Sequence, residues 1–373
     1  MGLGVSALTG RLMVHPVGFS QAVYPRVTMP QILAAIFGLS LLVTLHEAGH
    51  YLFARVFGMR VLRFSIGFGP VLASYKPKDS PTVFQVCAVP LLAYVLVAGT
   101  NPAEEPDPND PELYANKGLW PRIWVNLGGP LANYLTASVL IFGLALTGIR
   151  TEVPLSPMVI ATVEANSPAA KAGLKEGDTV LEANGQPIKN VQELSEITSA
   201  RAGEATQYVV ERAGERLAPL TITPDKRQER GVIGVNARSE VTYERQPLWR
   251  AAVLAVETPF VLTMANLNGM ADLIKRRSTE GVMGPVGMAK LVVKQADDGI
   301  YSYVWILVMI SVALGYFNLL PLPGLDGGKL IFLAYELVTR RRADERVESI
   351  VHGVGLLVLV GMIALVTLRD VAG

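Results

Sequence analysis

The chain has 373 residues, enough for more than one domain, and half of them (50%) are hydrophobic while only 17% are charged. With a mean hydropathy of +0.36 this is the composition of a membrane protein that carries a soluble part. A formal net charge of +1 leaves no basic excess to neutralise phosphates, which argues against nucleic acid as a partner, and the single cysteine, Cys87, excludes a disulfide framework and any Cys-ligated zinc cluster.

Residues 1–28 form an N-terminal extension with Arg11 and Arg26 but no sustained apolar region ending in a small-residue cleavage pattern, so no cleaved signal peptide is expected. His15 stands there without a partner at any metal-binding spacing. From 29 to 57 the chain is apolar enough to cross a bilayer, which takes about 20 residues at 1.5 Å each. Inside that span lies His46-Glu47-Ala48-Gly49-His50. Positions four apart share a helix face, so the two imidazoles can hold a Zn²⁺ with Glu47 beside them as a base. Two packed core histidines are the plainer alternative. Ionisable groups at membrane depth cost about 2.5 kcal/mol or more each, which favours the zinc site.

The next stretch, 58–120, is rich in Gly, Pro and charge; Arg55, Arg60, Arg63, Lys76, Lys78, Lys117 and Arg122 in or beside it mark the cytoplasmic side. Two β-rich runs, 61–70 and 82–90, flank a turn-like Lys-Pro-Lys-Asp-Ser and read as a hairpin or an ordinary loop. Residues 101–111 are a Pro-rich acidic linker. A second span, about 119–149, contains Asn126-Leu-Gly-Gly-Pro-Leu-Ala-Asn133. Its small residues permit close helix approach, and its two amides need partners, so it is expected to pack on the metal-bearing span.

Residues 155–240 turn charged and alternating, with a strand at 159–164 and a helix from about 191 to 200. The Ser-Pro-Ala…Gly-Leu…Gly-Asp…Asn-Gly string resembles a PDZ domain of the bacterial, circularly permuted kind. Such a domain takes an extended peptide, often a C-terminus, as an added strand; a spacer that merely obstructs access is the alternative. Residues 248–274 mimic a span but are interrupted by Glu257, Pro259, Asn266, Asn268 and Asp272. Were they to cross, Arg340-Arg-Arg342 would face outward, so an interfacial helix is expected. The third span, 301–338, is broken by the prolines and glycines of 316–329. The broken stretch 316–329 offers one carboxylate, Asp326, as the third protein ligand a catalytic zinc requires. A fourth span follows at 347–368, with His352 taken as a packed or interfacial residue.

Taken together, the motifs from residue 29 to the C-terminus resemble the site-2 protease family of intramembrane zinc metalloproteases, in its bacterial RseP branch. The resemblance rests on His-Glu-Ala-Gly-His in the first span, Asn-Leu-Gly-Gly-Pro-Leu-Ala-Asn in the second, one PDZ-like insert, and Asn318…Pro321…Pro323…Leu-Asp-Gly-Gly. It implies an α-helical polytopic membrane protein with about four transmembrane helices, a membrane-associated β-hairpin at 61–90 and an inserted extracytoplasmic α/β PDZ domain. The expected divisions are 1–28, a first metalloprotease half at 29–150, the insert at 155–240, a connector at 245–300 and a second half at 301–373. It implies zinc on His46, His50 and Asp326, Glu47 as catalytic base and Asn318 as an aid at the metal site. The implied activity is hydrolysis of peptide bonds within or near transmembrane segments, as in regulated intramembrane proteolysis of an anti-sigma factor or a signal-peptide remnant. The implied setting is the bacterial inner membrane. Expected partners are transmembrane substrates, with prior cleavage by another protease as one expectation, a peptide or C-terminus at the insert, and the lipid bilayer. The sequence departs from the pattern at 90–94, where Pro-Leu-Leu-Ala-Tyr replaces a usual Gly-Gly-Tyr in the substrate-facing loop, and at Lys329, where histidine is common. It also has room for only one PDZ domain. A proteolytically inactive PDZ scaffold is the competing reading, against which the intact Glu47 counts. A metal transporter is a third, disfavoured by the single ligand set.

Overall fold

The computed structural model describes residues 28–100, 107–227, 230–276 and 284–372; the N-terminal extension, most of the acidic linker and the 277–283 segment lie outside them. By contacts the chain forms two compact units, Gly148–Arg245 and the segments on either side of it.

The larger unit opens with helix α1 (Met29–Val56), started by a Thr28/Gln31 capping box with Pro30 in the first turn. Two strands follow, β1 (Val61–Tyr75) and β2 (Val83–Val97), both longer than the alternating runs suggested. Each bends back, so that residues 63–66 pair on one side with 93–96 and on the other with 83–86, while 71–75 pair with 84–87. The result is four segments in the order 93–97, 61–66, 83–87, 71–75, in which the two central segments run parallel and each outer pair runs antiparallel. The bend in β1 needs Gly67 and Gly69, whose φ values of +86° and +92° are hard for other residues. Residues 90–94, read from the sequence as part of a loop, instead form the bend of β2 and the start of its edge segment. There Tyr94 pairs with Ser65.

Helix α2 (Leu119–Thr147) runs antiparallel to α1 and touches it closely. A Cβ on Gly49 would stand 2.0 Å from the Gly128 carbonyl oxygen, so this crossing exists only because both residues are glycine. Asn126 is satisfied by the Tyr114 hydroxyl and the Arg122 carbonyl, each at 2.7 Å.

The smaller unit begins with β3 (Ile149–Pro154) and continues through β4 (Met158–Val163), the one-turn helix Pro168–Lys171 and β5 (Thr179–Ala183). Helix α3 (Val191–Ala200) follows, capped by Asn190, then β6 (Thr206–Arg212), β7 (Leu220–Ile222) and β8 (Val235–Ala237). The sheet runs β8-β4-β5-β6, with β7 also paired to β6, over a core centred on Met158, Ile160, Val180, Tyr208 and Val210. Among the described residues β8 pairs on one side only in that sheet. The unit closes with β9 (Ser239–Glu244), whose six residues zip antiparallel onto β3. Both linkers to the insert are thus paired with each other.

Back in the larger unit, α4 (Leu248–Arg276) is followed by α5 (Pro285–Asp297), α6 (Ile300–Leu319), α7 (Asp326–Thr339) and α8 (Glu345–Ala372). The broken third span is therefore two helices, because Pro321, Pro323 and Gly324 (φ +90°) stop α6 before α7 begins at Asp326. Among the described residues five helices are long and apolar enough to cross a membrane, and α4 is one of them. α4 lies along α2, where the Tyr134 and Thr263 hydroxyls meet at 2.8 Å. Direction constrains its path. Tyr303, near the start of α6, donates to the Ala34 carbonyl near the start of α1 at 2.7 Å, so α1 and α6 run the same way and α2 the opposite way. If those three cross, the chain leaves α2 and enters α6 on one side of the bilayer, and a single complete crossing by α4 has no return.

Candidate metal centre

Each component of the site is delivered by a different constraint. The α1 helix puts His46 and His50 one turn apart, with Nε2 atoms 3.2 Å from each other. The end of the proline-broken segment puts Asp326 at the first residue of α7, where a carboxylate suits the helix dipole. Asp326 Oδ2 lies 3.3 Å from both Nε2 atoms. The three atoms make a nearly equilateral triangle. Ligands about 2.0–2.1 Å from a tetrahedral zinc stand about 3.3–3.4 Å apart, so this triangle has the size of one face of such a site. Asp326 Oδ2 is buried without a hydrogen-bond donor, as expected of an atom meant for a cation. The donor set, two imidazoles and a carboxylate, is that of a catalytic zinc with one position left for water. Among the described residues, this trio is the group of His, Cys, Asp and Glu side chains able to hold a metal ion.

Outer contacts fix the rings. His50 Nδ1 lies 2.7 Å from the Val125 carbonyl oxygen, an acceptor only, so Nδ1 carries the proton and Nε2 keeps its lone pair. His46 Nδ1 lies 2.9 Å from the Asn133 side chain. Gly129 leaves the room both rings occupy: a Cβ there would stand 2.4 Å from His50 Nε2 and 2.6 Å from His46 Nε2. Glu47 is turned toward the hairpin, and its Oε2 accepts the Val95 amide proton at 3.0 Å. The Ser40 hydroxyl donates to the Pro90 carbonyl, a second tie between α1 and the hairpin.

A cavity of about 610 Å³ opens on these groups, lined among others by Glu47, Tyr94, Val95, Asn318, Asp326 and His352. Asn318 lines it, with Nδ2 donating one hydrogen to the Leu314 carbonyl at 2.9 Å and a second N–H left to donate. His352 is a packed side chain at the cavity wall: Nδ1 accepts from the Gly324 amide at 3.0 Å and the ring leans on Phe332. Lys329, one turn after Asp326, lines the same wall. Further along α7, Arg122 and Glu336, which line the same cavity, pair at 2.6 Å and tie α2 to α7.

The sequence points to the two histidines, Glu47 and Asp326, which the structure brings together, and it does not point to the contacts of Asn133, Val125, Val95 and Gly129. Asn133 was legible only as an amide needing a partner; the backbone groups of Val125 and Val95 carry no side-chain signal.

The chain is similar to known proteins along nearly its whole length. The family model described as peptidase family M50 matches residues 34–362. A Caulobacter vibrioides protein named "Metalloprotease MmpA" is 31% identical over 382 residues, 91% of this chain and 94% of that one. A Mesorhizobium japonicum protein named "Putative zinc metalloprotease mll0638" is 31% identical over 362 residues, covering 91% and 97% of the two chains. Among solved structures, the PDZ domain of the SdrC-like protein from Listeria monocytogenes aligns with 23% of this chain and 90% of its own, at 21% identity and a TM-score of 0.20. The match to its model across most of the sequence, and relatives of the same length at this identity, make the chain a member of peptidase family M50.

Proposed function

We propose that this zinc metalloendopeptidase hydrolyses peptide bonds within or near transmembrane segments of membrane proteins, with His46, His50 and Asp326 holding the zinc and Glu47 as general base. The observation that carries the proposal is the triangle of 3.2, 3.3 and 3.3 Å among three ligand atoms, beside a carboxylate held by a sheet edge and among helices long and apolar enough to span a bilayer.

Bound zinc supplies Lewis acidity and a water acidic enough to react near neutral pH. Glu47 takes a proton from the attacking water and gives it to the leaving amine. The Val95 amide holds the carboxylate in place for both transfers. Asn318, on the cavity wall, offers a polar group to the reacting carbonyl or to the substrate backbone. A transmembrane substrate hides its peptide bonds in its own helical ladder and has to unwind first. Among the described residues the edge segment 93–97 has one sheet neighbour, 61–66; on its other side Glu47 holds the Val95 amide, and the remaining outward backbone groups take an extended chain by strand addition. Tyr94 and Val95 bring that edge to the cavity.

The setting we propose is the bacterial inner membrane, with the Gly148–Arg245 unit on the extracytoplasmic side and the Arg340–Arg342 turn inside. The insert's β8 edge suits a peptide or C-terminus, and the insert restricts entry to substrates already trimmed outside the membrane. The test of the function is membrane proteomics comparing cells that carry the wild type with cells that carry Glu47→Gln. A membrane-embedded fragment that accumulates only in the mutant is expected. Identical fragment profiles would remove intramembrane proteolysis as the activity.

A further inference from the structure

We infer that Asn133 is a positioning residue, whose side-chain oxygen accepts a hydrogen bond from the His46 Nδ1–H and so holds that ring in the one neutral tautomer able to take a metal at Nε2. The inference rests on the metal centre described above and concerns a residue outside its ligand set.

Asn133 is completely buried on α2. Its Nδ2 stands 2.9 Å from His46 Nδ1, while its Oδ1 is buried with no hydrogen-bond partner. A half-turn of the amide about Cβ–Cγ exchanges the two atoms, so either can face the imidazole. The choice decides the chemistry. If the amide nitrogen donates to Nδ1, neutral His46 carries its proton on Nε2, the atom that stands 3.2 Å from His50 Nε2 and 3.3 Å from Asp326 Oδ2. A protonated Nε2 cannot ligate. If the amide oxygen faces Nδ1, the proton sits on Nδ1 and the Nε2 lone pair points into the triangle. His50 supplies the reference, because the Val125 carbonyl can only accept and therefore fixes the same tautomer on the second ring. Both rings then present Nε2 lone pairs, one oriented by a backbone carbonyl and the other by Asn133.

The residue is itself held. Its backbone carbonyl accepts the Ser311 hydroxyl of α6 at 2.9 Å, so α2 and α6 together set the amide's height against His46. Gly129, one turn earlier on the same helix, leaves the room that both rings need to reach this position. Partners of this kind on metal-ligating histidines typically carry 10–100-fold in metal affinity.

The test uses the full-length protein purified in detergent, loaded with zinc and titrated with a competing chelator, with zinc per chain as the readout. Asn133→Leu keeps the volume and removes the acceptor; it should release zinc at a 10–100-fold lower chelator concentration than the wild type. Asn133→Asp keeps an acceptor at the same place and cannot donate when ionised, so it should retain zinc at least as well as the wild type. Melting temperatures of the metal-stripped proteins separate positioning from packing. If Asn133→Leu folds less well, the comparison of Asn133→Asp with the wild type still decides. Wild-type zinc retention by Asn133→Leu, or zinc loss by Asn133→Asp with an unchanged melting temperature, would overturn the inference. A wild type that binds no zinc would instead overturn the metal centre on which it rests.

Discussion

Glu47 Oε2 accepts a hydrogen bond of 3.0 Å from the Val95 amide, which joins α1 to the edge of the hairpin. Val95 faces Phe64 across the sheet, and its N–H points away from that neighbour, so it is not part of the ladder. Proline is tolerated at such an edge position because no ladder bond is lost. Val95→Pro should therefore fold and bind zinc while leaving Glu47 unheld. A hydrogen bond to a charged group contributes about 1.5–3 kcal/mol, so peptidase activity should fall about 10- to 150-fold. Activity assays alongside zinc analysis check this; full activity with full zinc would show that the bond does not position the base.

Gly129→Ala should empty the metal site without unfolding the protein. The added Cβ would stand 2.4 Å from His50 Nε2, and the rings have to move to admit it. Gly143→Ala on the same helix is the control, since nothing lies within 4 Å of its added Cβ. Zinc analysis of both variants should give a loss for the first and wild-type content for the second.

The insert has its own pH dependence. Burial alone would raise the Asp178 carboxyl, but the Arg212 guanidinium and the Lys175 amide outweigh it and hold Asp178 below the usual carboxylate range. Asp178 is completely buried and Arg212 Nε approaches it at 2.6 Å. A carboxyl lowered in the folded state stabilises fully above its unfolded value, about 3.9, and that stabilisation is lost as pH falls through the lower folded value. Arg212→Met should therefore lower the melting temperature of residues 148–245 at pH 7 and 5. The deficit should shrink below about pH 4. A deficit independent of pH down to 2 would assign it to packing alone.

Side and gate are tested separately. With Cys87 replaced, cysteines introduced at Ser195 and Ser349 should label from opposite sides of the membrane; labelling from one side would refute the topology. Deleting 155–240 should let a substrate with a bulky folded external domain be cut as fast as a trimmed one. If the deleted enzyme folds and cuts neither, the insert recruits substrate instead of restricting it.

The parts of this molecule that were legible in the sequence are those whose signal is local. His46 and His50 announce themselves by spacing, and Asp326 by being the one carboxylate in a proline-broken apolar stretch. The one-turn separation of the imidazoles follows from helix geometry alone. The hairpin was half legible: alternation marks a strand, but the fold-back at Gly67 and Gly69 depends on two positive φ values that alternation does not encode. Helix α4 was the hardest element. Its polar residues argued for the interface and its length for a span, and only the shared direction of α1 and α6 constrains its path. Asn133 was visible as a polar group in an apolar helix, yet a sequence names the need for a partner and not the partner.

The most direct test of the account is the zinc content of the purified full-length protein and three of its variants. The wild type and Glu47→Gln should each hold one zinc per chain, while His46→Ala and Asp326→Ala should hold none after dialysis against a weak chelator. Of these, only the wild type should cleave peptide bonds. Full zinc occupancy in both His46→Ala and Asp326→Ala would contradict the assignment of the metal to the triangle at His46, His50 and Asp326.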